Sequence, residues 1–267
     1  MASPWIAALG ALFAWWFSTG AILLAVRRSE AAGGAAPGRL ALAALPLLPL
    51  GLWGLHATMD RTDPAGAYLA FASALAVWGW IELAFLTGAV TGPNDRPCPP
   101  RVPEWERFIR GWGTLAYHEM LLTAALLAVL IAGWGAENPA GVWTYAVLYG
   151  ARVSAKLNLY LGVPHMTLEF TPRALSHMPS HFRTGRMSAL FPVSITLLTL
   201  AAACWIERGM AAGTPGEAVA FALLAAITAL ALIEHWFLVL PVPDAELWRW
   251  MLPDRPAPRA PNAVEDA

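Results

Sequence analysis

Seven stretches of this chain, at about 5–26, 40–58, 66–90, 114–134, 140–162, 188–206 and 216–240, are apolar over roughly the length that crosses a bilayer as a helix. Hydrocarbon offers no partner for a backbone N–H or C=O, so such runs are expected to be helices that satisfy themselves internally. Only 13% of residues are charged and 58% are hydrophobic, against about 25% charged in an ordinary soluble domain. The expected fold class is therefore all-α: a polytopic helical membrane protein with seven transmembrane helices, filling residues 1–252. A Pro- and Ala-rich tail over 253–267 is expected to be disordered. Just before it, Leu247, Trp250 and Met251 are expected at the membrane surface.

The basic residues set an orientation. Arg27, Arg28 and Arg39 follow the first span; Arg96, Arg101, Arg107 and Arg110 the third; Arg173, Arg183 and Arg186 the fifth; Arg249, Arg255 and Arg259 the seventh. The other connectors hold only Arg61 and Arg208. Basic residues accumulate on the cytoplasmic side, so a periplasmic N-terminus and a cytoplasmic C-terminus are expected. The first span has its positive charge after it, not before, unlike a cleavable signal peptide, and reads as a retained helix. Between the third and fourth spans, Trp105, Phe108, Ile109 and Trp112 recur at helical spacing, with Glu104, Glu106, Arg107 and Arg110 on the remaining positions. That pattern suits a short amphipathic helix lying in the interface.

Charged side chains inside the spans are the candidate functional residues. In the fifth span Tyr145, Tyr149, Arg152 and Lys156 fall at i, i+4, i+7 and i+11, one polar stripe on a helix, with Asn158 nearby. Glu82, His118, Glu119, Glu234 and His235 lie inside other spans. At about 1.5 Å per residue, Glu82 sits roughly 13 Å from its span's inner end, and Glu234 and His235 roughly 8–10 Å from theirs. His118 and Glu119 lie within about two turns of the same side. All are thus expected in one leaflet.

Three readings stay open for this cluster. It could be an ion-pair and hydrogen-bond network that sets helix register. It could hold a metal, since Glu82, His118, Glu119, Glu234 and His235 are ligand types of helical di-iron bundles. Against that, the Glu-x-x-His spacing is absent, and the adjacent pairs His118-Glu119 and Glu234-His235 point about 100° apart. It could bind a headgroup, a pigment or a partner helix. The loop histidines His165, His177 and His181 are expected to be solvated, with Pro179 interrupting a zinc-type helix. No nucleophile elbow, phosphate loop, dinucleotide fingerprint or HExxH occurs, and a net charge of -1 points to no nucleic-acid partner.

Several strings in order resemble one family. They are Gly66-Ala67-Tyr68, Trp78-Gly79-Trp80-Ile81-Glu82, Phe85-Leu86-Thr87-Gly88, Pro97-Cys98-Pro99 and Tyr117-His118-Glu119. Ser154-Ala155-Lys156-Leu157-Asn158-Leu159 follows, running into Leu161-Gly162-Val163-Pro164, then Leu190-Phe191-Pro192-Val193-Ser194 and Glu234-His235-Trp236-Phe237. Together they resemble the PuhE-type photosynthetic complex assembly proteins of purple bacteria; His165, His181 and Ser188 depart from that pattern. The resemblance implies a multi-pass protein of the bacterial inner (cytoplasmic or intracytoplasmic) membrane that supports assembly of the photosynthetic reaction centre and antenna. Bacteriochlorophyll supply is one implied route, with reaction-centre or antenna subunits and pigment-synthesis enzymes as partners. It implies no established catalytic activity. The alternative is a metal-dependent membrane enzyme acting on a pigment or isoprenoid precursor; as cofactor, metal and bacteriochlorophyll both stay open.

Overall fold

A computed structural model describes residues 2–242 and 246–248. Among the described residues nine α-helices run in order: α1 (Pro4–Ala32), α2 (Ala36–Ala44), α3 (Leu47–Ala57), α4 (Pro64–Leu86), α5 (Glu104–Gly113), α6 (Ala116–Ala132), α7 (Ala140–Leu161), α8 (Leu190–Met210) and α9 (Pro215–Phe237). Two short 3-10 turns, Arg173–Leu175 and Met178–His181, shape the loop between α7 and α8. No strand forms among the described residues beyond one isolated bridge, Val163 to Thr184. The 253–267 tail, with Trp250 and Met251, lies outside the described residues.

Prolines punctuate the helices. Pro4, Pro64 and Pro215 stand at helix starts, where a missing N–H costs nothing. Thr214 caps α9 in a reciprocal box: its hydroxyl accepts from the Glu217 N–H at 3.2 Å, and the Glu217 carboxylate accepts from the Thr214 N–H at 3.3 Å. Pro46 instead splits the second expected span into α2 and α3. The third span ends at Leu86, four residues short of the expected limit, so Glu82 lies about 6 Å from its helix end. The first extends past Arg27 and Arg28 to Ala32.

Among the described residues five segments are long and apolar enough to cross a membrane: α1, α2 with α3, α4, α8 and α9. A sixth results if α5 and α6, bent by 68°, count as one span. Several crossings are consistent with a multi-pass membrane protein. The remaining expected span, the fifth, is α7, whose 22 residues are long enough but which is not apolar enough to count among them.

Helix α4 is the axis. Its first half packs Ala67, Ala70 and Phe71 against Ala7 and Ala11 of α1 and Val219, Leu223 and Ile227 of α9. Its second half packs Ala74, Val77 and Ile81 against Leu55 of α3, Leu122 and Val129 of α6 and Tyr145 of α7. Small residues bring these helices close. A Cβ on Gly54 would collide with the Ser73 side chain, and one on Gly216 with the Thr62 backbone. Outward faces stay apolar, with Phe13, Ile131, Leu197 and Leu200 each more than half exposed, as lipid-facing helices require.

Candidate functional site

Every member of the α7 stripe finds a partner on α4 or α6. The Tyr145 hydroxyl donates to Leu122 O at 3.2 Å, and Tyr149 Oη lies 2.9 Å from Thr123 Oγ1. Arg152 Nη2 donates to Glu82 Oε2 at 2.8 Å. Lys156 Nζ pairs with Glu119 Oε1. The spacing of 3.6 residues per turn puts all four on one line, and α7 lies with that line turned toward α4 and α6.

Between the two ion pairs sits His118, fully buried. Its ring stacks on Phe85 with centroids 4.1 Å apart and planes at 26°. Nε2 lies 3.7 Å from Glu82 Oε1 and 4.0 Å from Glu119 Oε1, beyond hydrogen-bond length, and neither ring nitrogen has a hydrogen-bond partner among the described residues. The α5–α6 bend places it there. The His118 N–H donates to Thr91 O at 3.0 Å and the Asn94 N–H to Gly113 O at 3.0 Å, so the proline-rich connector clasps the bend.

The opposite face of α7 carries a second polar knot. Ser154 Oγ lies 2.9 Å from both Ser194 Oγ of α8 and His235 Nε2 of α9. His235 Nδ1 is 2.8 Å from Ala231 O, a group that can only accept, so that nitrogen carries the hydrogen. Asn158, fully buried, donates through Nδ2 to Ser154 O and Ser194 Oγ, both at 2.9 Å, and accepts from the Ser188 hydroxyl at 3.1 Å. Asn158 and His235 thus join this knot rather than the Glu82–Lys156 cluster. Ser154, Ser188 and Ser194 carry no charge, so a pattern of intramembrane charges does not pick them out. The signal was the i, i+4 placement of Ser154 and Asn158.

Glu234, the third carboxylate, has no direct ion pair or hydrogen bond among the described residues. It lines a half-open cavity of about 410 Å³ between α1, α4, α7, α9 and the loop around 166–182. Glu82 and Arg152 line the same cavity. Among the described residues no three His, Cys, Asp or Glu side chains are grouped to hold a metal ion. Glu82 and Glu119 each face a cation instead, and His235 points away into the serine knot.

Two residues of the same bundle end differ from their expected settings. Arg107, placed by its pattern on a polar helix face, is buried. Its Nη1 donates to Tyr160 O at 3.1 Å and His181 O at 2.6 Å, its Nη2 to Glu104 at 3.1 Å, and its guanidinium lies 3.8 Å over the Tyr160 ring. His181, expected to be solvated, is 1% exposed beneath this clamp; burial pushes its imidazole below the usual histidine range.

Residues 1–259 match the family described as "Protein of unknown function (DUF3623)". This chain belongs to the DUF3623 family. A relative in Rhodobacter capsulatus, described as an uncharacterized 30.4 kDa protein in the puhA 5′ region, is 53% identical over 253 residues, covering 95% of this chain and 92% of its own length. No solved structure matches the chain.

Proposed function

We propose that this DUF3623 protein is an inner-membrane assembly factor for the photosynthetic reaction centre and its antenna, with bacteriochlorophyll supply as one route of action. The observation that carries the reading is the place of its relative, 53% identical along nearly the whole chain, in the puhA 5′ region. That position agrees with the strings that resemble PuhE-type assembly proteins. The bundle supports a role in holding and presenting rather than in turnover. Two of the three intramembrane carboxylates are committed to Arg152 and Lys156, and His235 is committed to Ser154. Lipid-facing surfaces of α1, α6 and α8 supply the area on which subunits would dock. In the proposed arrangement of seven spans with the N-terminus outside, the loops at 87–103 and 162–189 would lie in the cytoplasm, where pigment-synthesis enzymes are reachable.

A tagged chain, solubilised in mild detergent from photosynthetically induced cells, is expected to recover reaction-centre or antenna subunits or pigment-synthesis enzymes. Recovery of the bait alone, together with normal pigment complexes in a deletion strain, would reject the reading.

A further inference from the structure

The cavity beside Glu234 is built as a slot with a polar belt. Its deep end is apolar, walled by Trp15, Leu75, Leu148 and Ile227. Glu82, Arg152 and Glu234 form the belt. Glu82 stands four residues from the end of α4 and Glu234 three from the end of α9, about 5–6 Å below the helix ends. A helix of 23 residues such as α4 spans a little more than the roughly 30 Å hydrocarbon layer, so a centred α4 would hold the belt a few ångströms inside the headgroup boundary, within reach of a headgroup drawn inward. Leu75 is seven residues, about 10 Å, deeper on the same helix. The slot's volume falls within the ~300–1,000 Å³ of small-molecule sites.

The belt's chemistry narrows the occupant. Arg152 spends one Nη on Glu82, and its side chain stays 37% exposed, which leaves guanidinium donors for a second acceptor. Glu234 brings a carboxylate that no cation among the described residues pairs directly. A guest that satisfies both must offer an anion to Arg152 and a hydrogen-bonding cation to Glu234, on an apolar chain. We infer that this slot binds a phospholipid with a primary-amine headgroup, phosphate on Arg152, ammonium on Glu234, and an acyl chain running down between α1, α4, α7 and α9. A choline headgroup lacks the N–H donors, and a glycerol headgroup lacks the cation.

Native mass spectrometry of the detergent-purified full chain, titrated with dioleoyl phosphatidylethanolamine, phosphatidylcholine and phosphatidylglycerol, tests this. Wild-type protein is expected to bind the ethanolamine lipid about tenfold more tightly than either other, the worth of one charge-assisted hydrogen bond. E234Q, which keeps the fold because its carboxylate braces no helix, brings ethanolamine and choline lipids to parity. Ala151 of α7 also lines the slot, and A151F, which fills it, weakens all three. Equal binding of the three lipids by wild type, an ethanolamine preference that survives E234Q, or binding unaltered in A151F would each overturn the assignment. A preference for phosphatidylglycerol would assign recognition to Arg152 alone and overturn it too.

Discussion

Lys156 and Glu119 illustrate what a charge costs once it leaves water. Their side chains are 14% and 7% exposed, so each depends on the other: removing one partner strands the second in a low-dielectric interior. Lys156→Met or Glu119→Leu is therefore expected to destabilise the protein by about 3–5 kcal/mol, whereas the double substitution recovers most of that loss. Thermal unfolding of detergent-purified variants, followed by size-exclusion, measures the cycle. Losses that simply add in the double variant would show that the pair is not coupled. Arg152 is more exposed than Lys156, and the smaller loss is expected for Arg152→Met, since solvent or headgroups can take up part of the role of its partner. The stripe itself was legible in the sequence, because residues spaced three or four apart on one helix share a face whatever surrounds it. Which carboxylate meets which cation was not, because that depends on the azimuth and depth of α4 and α6.

At the level of elements, α5 shows how a surface helix is fastened. Its exposed Trp105, Phe108, Ile109 and Trp112 carry the amphipathic pattern that the sequence displays, while Arg107 turns inward and ties the end of α7 to the loop at His181. A lysine cannot reproduce that fork of donors. The clamp also carries a pH dependence. Burial holds the His181 pKa below its unfolded value, so the unfolded loop binds a proton more readily than the folded one. The stabilising contribution is full above the unfolded pKa of about 6.5 and falls as pH drops below it. Hydrogen exchange across residues 178–183, corrected for intrinsic rates, is expected to show less protection at about pH 5 than at about pH 7.5. In His181→Phe that difference should vanish; its persistence would assign the effect elsewhere. The burial of His181 was not readable from its neighbours in sequence, since the covering Arg107 and Gly111 come from a helix some seventy residues earlier.

Across the whole molecule, the polar groups gather at one end. Glu82, His118, Glu119, Lys156, Asn158 and His235 lie near the ends of α4, α6, α7 and α9 that meet the loop at 162–189. The end of α1 joins them, with Arg27 donating to Glu169 O at 2.5 Å and the Arg173 N–H donating to Glu30 at 2.6 Å. If this end faces the cytoplasm, alkaline phosphatase fused within 133–139 or 211–214 is expected to be active, and fluorescent protein inserted in 87–103 or 162–189 to fluoresce. The reverse pattern would invert the orientation. The apolar runs, their helical nature and the angular stripe of α7 are properties of the sequence alone, because local periodicity and the demand that backbone groups be satisfied in hydrocarbon determine them. Packing decided the rest. The Ala and Gly faces of α4, α7 and α9 set how far each helix slides and turns against its neighbour. Only that choice leaves Glu234 without an ion pair beside a cavity and hands His235 to two serines.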